Sequence, residues 1–183
     1  MGSNNTVFYR SRLWALIWIY ILSIYVSLPL MRAILGFLKD SLGQASFSLL
    51  LSLTMMSVGL IILVWGGRRS ARHCFMACIP VAIIGTISYN LSIPEEKVHF
   101  LQYGLLGMMV TATARSESIS LLAKLAIFAI SVGMIDETIQ WYLPNRVGDP
   151  RDVAFNTVAA ILGIWIGKIL FGSSPFGSLP RSP

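Results

Sequence analysis

The chain has 183 residues, of which 55% are hydrophobic and only 12% are charged, and its mean hydropathy is +0.72. A soluble domain of this size needs more polar surface than this composition supplies, so an integral membrane protein is indicated. The formal charge of +6 arises from basic residues spread over short loops. That distribution excludes a nucleic-acid-binding patch.

Six segments approach the length of about 20 apolar residues with which a helix crosses a bilayer. They are 13–31, 46–65, 74–93, 98–114, 119–143 and 153–171. The predicted fold is an all-α membrane protein, a compact bundle of about six transmembrane helices. One side of the bundle receives nine of the fourteen basic residues and the other receives seven of the eight acidic ones. By the positive-inside rule, both termini are then cytoplasmic and the acidic side faces outward.

The chain divides into three parts by composition. Two transmembrane helices and a basic cytoplasmic loop occupy 1–73, and a four-helix transmembrane core occupies 74–171. The tail, 172–183, is rich in Ser, Pro and Gly and is predicted to be disordered. Cys74 and Cys78 are four residues apart without a second pair, so we expect packing residues and no metal site or cofactor.

Polar residues begin to concentrate at the start of the fourth span. Pro94 can open this helix, and Glu96, His99 and Tyr103 then follow at spacings of three and four residues. One helical face therefore carries a carboxylate, an imidazole and a phenol. His99 is either a structural histidine or a general base tuned by the acid one turn above it.

The end of the fifth span carries a second polar face. Glu137 and Gln140 are three residues apart, Asp136 and Gln140 are four apart, and Trp141 follows at the expected depth of the membrane interface.

The loop NRVGDPRD connects the fifth and sixth spans and contains two arginines, Arg146 and Arg151. Asp152 is expected to cap the sixth helix, and Asn156 continues its face one turn deeper. Gly163 and Gly167 on that face form GxxxG, which lets helices approach closely. The contact could bury Asn156 within the chain or join two chains in a homo-oligomer.

Charges at membrane depth cost about 2.5 to 3.5 kcal/mol each, so they are tolerated when paired or when they face an internal cavity. The polar segments therefore predict one pocket that opens to the outer side. The alternative is a purely structural network, in which Asp149 with Arg151 and Arg146 with Asp152 neutralise each other.

These residues resemble the VanZ-like family of bacterial membrane proteins. The resemblance is carried by Glu96-Lys97-Val98-His99, Tyr103-Gly104, Glu137-x-x-Gln140, Pro144-x-Arg146 and Asp152-x-x-x-Asn156, with a small-residue run ending at Gly163. It covers about the last ninety residues, from Pro94 to the end of the sixth span. The resemblance implies a multi-pass protein of the bacterial plasma membrane and an association with low-level teicoplanin resistance.

The first hypothesis is a binding protein for a lipid-linked cell-envelope precursor or a lipoglycopeptide. The ligand-binding residues would be Tyr103, Gln140, Trp141, Arg146, Arg151 and Asn156. The second is an intramembrane hydrolase or transferase acting on a lipid head group or lipid-linked glycan. Its catalytic residues would be His99 as base, oriented by Glu96, with Glu137 or Asp152 as acid. A metal held by His99, Glu137 and Asp152 is conceivable, but nothing in the spacing selects one.

Other functions have less support. The sequence contains no GxSxG, HExxH, P-loop or GxGxxG motif. A transporter is the weakest alternative, because no internal repeat or broken helix is visible.

Overall fold

The computed structural model describes residues 2–91, 93–114, 118–144 and 148–172, with the backbone alone for 2–10 and 95. Over these residues it contains six α-helices: α1 (Gly2–Leu42), α2 (Gln44–Arg69), α3 (Ala71–Asn90), α4 (Pro94–Ala112), α5 (Ile119–Tyr142) and α6 (Pro150–Phe171). The all-α prediction is therefore confirmed for the part of the chain that is described. The orientation of the termini stays a prediction.

Five of the six described helices are long and apolar enough to cross a membrane. The exception is α4, which has 19 residues and is thus about 28 Å long. Its length suffices, but Glu95, Glu96 and Lys97 place three charges in its first turn. Six helices were predicted and six are described, of which five are long and apolar enough to span a membrane, while α4 combines a polar start with an apolar remainder.

Helix α1 is longer than the predicted first span, 13–31, because it continues through Pro29 to Leu42. A proline inside a helix removes one backbone hydrogen bond, but packing of an apolar stripe can compensate for that loss. The stripe recurs every three or four residues and continues past the proline, with Ile17, Ile21, Ile24, Leu28 and Leu35 all buried.

The most extensive contact between helices joins α4 and α6, and glycines make it possible. A Cβ atom at Gly163 would overlap the backbone oxygen of Gly104, and one at Gly107 would overlap the backbone oxygen of Ala160. At Gly167 an added Cβ would lie 2.8 Å from Cβ of Thr111. The GxxxG face is thus buried against α4 inside the chain. A homo-oligomer through Gly163 and Gly167 stays a prediction.

The start of α4, the end of α5 and the start of α6 lie side by side, and we call this end of the bundle the polar end. The start of α2 also lies at the polar end. Lys97 Nζ in α4 donates hydrogen bonds to two serines near the start of α2, Ser48 Oγ at 3.0 Å and Ser52 Oγ at 2.9 Å. The predicted boundary between 1–73 and 74–171 stays a prediction. Of the predicted tail, only Gly172 lies within the described residues.

Candidate functional site

Three helices bring seven polar side chains together inside the polar end, and we call these residues the polar cluster. All seven are at most 5% exposed: Glu96, His99, Tyr103, Asp136, Glu137, Gln140 and Asn156. The spacings within each helix explain their convergence, since residues three or four apart share a helical face. The rings of His99 and Tyr103, for example, are nearly parallel, with centroids 6.4 Å apart.

Asp136 is the centre of one half of the polar cluster. Tyr103 donates a hydrogen bond from its hydroxyl to Asp136 Oδ2 at 2.9 Å. His99 Nδ1 lies 3.5 Å from the same oxygen. A carboxylate that contacts an imidazole can orient it and stabilise its protonated form, as a general acid–base site requires.

Sequence reasoning did not name Asp136 among the site residues and assigned Glu96 to orient His99. In the structure Asp136 is a carboxylate in contact with His99, and it is 0% exposed. A signal was available, because Ala129, Val132 and Gly133 precede Asp136 at helical spacing and are all buried. Asp136 therefore continues the inward-facing stripe of α5.

Glu137 is the centre of the other half. Its Oε1 accepts hydrogen bonds from Gln140 Nε2 at 3.2 Å and from Asn156 Nδ2 at 3.5 Å. Its Oε2 accepts one from the backbone N–H of Asp149 at 3.3 Å. These three donors are neutral amide groups that orient the carboxylate.

Gly148 lets the loop before α6 reach Glu137. An added Cβ at this position would lie 2.7 Å from the backbone oxygen of Glu137 and 3.1 Å from Cβ of Trp141. Only a glycine fits this approach, and it brings the N–H of Asp149 within reach of the Glu137 side chain. The Gly-Asp-Pro turn thus contributes to the site as well as connecting two helices.

Arg151 lies at the edge of the polar cluster. Its Nη2 is 3.3 Å from Glu96 Oε1, and its side chain is 58% exposed whereas that of Glu96 is only 5% exposed. The guanidinium also lies over the ring of Phe155, 5.3 Å from the centroid. An arginine in this position can exchange its contact with Glu96 for an anionic ligand at the surface.

The remaining predicted site residues are Asp152, Trp141 and Arg146. Asp152 is half-buried in the first turn of α6, but the cap of that helix is Asp149, which accepts a hydrogen bond from the N–H of Arg151 at 2.8 Å. The predicted cap was therefore wrong, because the helix begins at Pro150. Trp141 is 74% exposed and is therefore not part of the buried polar cluster. Arg146 lies outside the described residues.

A narrow cleft between α1 and α4 leads to His99. It is lined by Ser27, Leu28, Met31 and Leu35 of α1 and by Val98, His99 and Gln102 of α4. Its volume is about 10 Å³, which is room for about one water molecule. The α1 wall of this cleft is mostly apolar and could not be located from the sequence.

Three members of the polar cluster lie close enough together to act as ligands to one metal ion. His99, Asp136 and Glu137 each offer one ligand atom, and these atoms lie within 4.8 Å of one another. The site is thus rich in hydrogen-bond acceptors, with an imidazole on one side. It can bind cations, exchange protons, or accept hydrogen bonds from hydroxyl groups.

Comparison with known protein families gives one finding. The family model described as VanZ/LLP1 matches residues 7–171. This range includes α1 and α2 as well as the last four helices, so it extends the resemblance noted from the motifs. Comparison with curated proteins and with solved structures gave no match.

Proposed function

This chain belongs to the VanZ/LLP1 family, and we propose that it is a membrane protein whose polar cluster binds the head group of a lipid-linked cell-envelope precursor. The observation that carries the proposal is the cleft between α1 and α4, which has an apolar wall and ends at His99. A lipid has the same arrangement, because it joins an apolar chain to a polar head group. The head group would reach the polar cluster while the chain lies along α1.

The polar cluster offers complementary groups to such a head group. The carboxylates of Asp136 and Glu137 accept hydrogen bonds from sugar hydroxyls, and Gln140 donates them. Arg151 at the edge would bind a phosphate or carboxylate through two parallel hydrogen bonds. Arg146, in the loop before α6, is proposed to help in the same way. By the positive-inside rule, we expect this head group on the outer side of the membrane.

Binding through this entrance requires α1 to move away from α4. A cleft with room for about one water molecule does not admit an acyl chain in its present form. The expected movement is a sideways displacement of the Leu28 to Leu35 part of α1, whose described contacts with α4 in the cleft are largely apolar. Apolar contacts can be replaced by contacts with a lipid chain at little cost.

The role of the cleft as an entrance can be tested by blocking it with a large side chain. Met31→Trp places a large side chain in the cleft, whereas Ile34→Trp adds the same side chain on an exposed face of the same helix, at a residue that is 48% exposed. Lipids that remain bound through purification would be identified by mass spectrometry. We expect the wild type and Ile34→Trp to retain a lipid-linked precursor and Met31→Trp to lose it. Equal retention in all three proteins would refute the proposal.

We further propose that a lipoglycopeptide such as teicoplanin uses the same cleft, because it also joins an acyl chain to a polar body. Sequestering the antibiotic at the outer face would lower the susceptibility of the cell. Cells that produce the wild type or Ile34→Trp should then tolerate more teicoplanin than cells that produce Met31→Trp. No difference between the three strains would exclude this ligand.

A second candidate function is an intramembrane hydrolase or transferase that acts on the same class of lipid head group. It is favoured by the contact between His99 and Asp136, an imidazole next to a fully buried carboxylate. His99 would remove a proton from water or from an acceptor hydroxyl, and Asp136 would stabilise the imidazolium that forms. Labelled lipid-linked precursors should be converted by the wild type and not by His99→Gln. An absence of turnover by the wild type would leave the binding function alone.

A further inference from the structure

We infer that His99, Asp136 and Glu137 bind a divalent metal ion. The distances among their ligand atoms are the first observation. A metal bound to nitrogen and oxygen at about 2.0 to 2.4 Å has ligands that are at most about 4.8 Å apart, when they lie on opposite sides of the ion. One ligand atom from each of the three side chains meets this limit.

Asn156 provides the second observation. Its side chain is 2% exposed, and its Oδ1 has no hydrogen-bond partner among the described residues. The amide group is directed into the cluster, since its Nδ2 lies 3.5 Å from Glu137 Oε1. A buried amide oxygen without a partner is costly, and a metal ion or a water molecule bound to it would satisfy this oxygen.

The surroundings of the three ligands are those of a metal site. Tyr103 holds Asp136 Oδ2 by a hydrogen bond of 2.9 Å, and Gln140 holds Glu137 Oε1 by one of 3.2 Å. Hydrogen bonds of this kind orient ligand carboxylates in metalloproteins and strengthen metal binding.

Charge favours the same conclusion. Asp136 and Glu137 are adjacent in the chain, and both side chains are buried. A divalent cation bound to both would reduce the repulsion between two buried carboxylates that lie close together. The competing explanation is that the carboxylates carry protons, and the experiment below distinguishes the two.

The chemical types of the three ligands limit which metal ions are expected. One imidazole and two carboxylates, without a thiolate, suit Zn²⁺ or Mn²⁺ better than Cu⁺ or Ca²⁺. Three protein ligands leave at least one coordination position open. An anionic head group, which two carboxylates alone would repel, could occupy it. This last step rests on the function proposed above, whereas the metal site itself does not.

The test uses the purified chain of 183 residues and its two histidines. His99→Gln removes a ligand, whereas His73→Gln changes a histidine at the start of α3, whose Nδ1 lies 2.6 Å from Ser70 Oγ. Each protein is incubated with Zn²⁺ or Mn²⁺, freed of excess metal by gel filtration and analysed by elemental mass spectrometry. We expect about one ion per chain in the wild type and His73→Gln, and at least a tenfold lower affinity in His99→Gln.

A second measurement does not depend on any variant. The electron paramagnetic resonance spectrum of Mn²⁺ added to the wild type should show a bound, broadened signal that Zn²⁺ displaces. Failure of the wild type to bind either ion would overturn the metal site and leave protonated carboxylates as the explanation. Bound lipids are measured in the same samples, so that the two proposals can fail separately. Bound metal without bound lipid would support the metal site and contradict the binding of a lipid head group. Bound lipid without bound metal would overturn the metal site alone.

Discussion

Replacing Gly163 by alanine tests the contact that holds the site together. The added Cβ would overlap the backbone oxygen of Gly104 and lie 2.9 Å from its carbonyl carbon and 3.1 Å from its Cα. Ordinary contacts begin at 3.4 Å, so α4 and α6 must separate by several tenths of an ångström or more. Overpacking costs roughly 1 to 3 kcal/mol, and the upper end applies because backbone atoms cannot rotate aside. The better helix propensity of alanine offsets about 1 kcal/mol of this cost, so the free energy of unfolding should fall by about 2 kcal/mol.

Gly85 on α3 is the matched control, since an added Cβ there meets no atom within 4 Å. Gly85→Ala should leave stability unchanged or raise it by up to about 1 kcal/mol through helix propensity alone. Both variants would be unfolded thermally in detergent and followed by circular dichroism, with gel filtration to show that each is monodisperse at the start. If Gly163→Ala were as stable as Gly85→Ala, the direct backbone contact between α4 and α6 would be wrong.

Three further predictions concern side chains at the polar end. Tyr103→Phe removes the hydrogen bond to Asp136 and should lower the free energy of unfolding by about 1 to 3 kcal/mol, measured by the same thermal method. Lys97→Met replaces an ammonium that is 4% exposed with an apolar chain of similar length, so the melting temperature should stay the same or rise; a clear fall would contradict this. Asp149→Ala removes the cap of α6 and should cost about 1 kcal/mol, whereas Asp40→Ala on the exposed end of α1 should cost nothing measurable.

Apolar length and helical spacing made much of the fold predictable. Each predicted span overlaps one helix of the structure, although the third to fifth extend one to three residues beyond the helix ends, and the predicted faces of α4 and α5 do meet in one cluster. Both results depend on local chemistry, because residues three or four apart share a face whatever the rest of the chain does. The continuation of α1 past Pro29 was missed, since it depends on packing of Leu35 against other helices.

The pairing of side chains across helices could not be predicted in the same way. Glu96 is one turn from His99 in sequence, yet it forms an ion pair with Arg151 of α6, and Asp136 of α5 contacts His99 instead. Such choices depend on the rotation of each helix about its axis, which tertiary packing sets. The contacts of Lys97 with α2 could not be predicted from the sequence for the same reason.

The glycine contact and the polar cluster are parts of one arrangement. Gly104 follows Tyr103 directly, and Gly163 is two helical turns after Asn156 on the same face of α6. The distance between the backbones at Gly163 therefore also sets the distance between Asn156 and the residues of α4 and α5. Gly133 of α5 adds a third close approach, since a Cβ there would lie 3.1 Å from Cβ of Asn156 and 3.4 Å from Cε1 of Tyr103. Small residues on three helices thus allow the carboxylates, the imidazole and the amide to converge in one cluster, which larger residues would prevent.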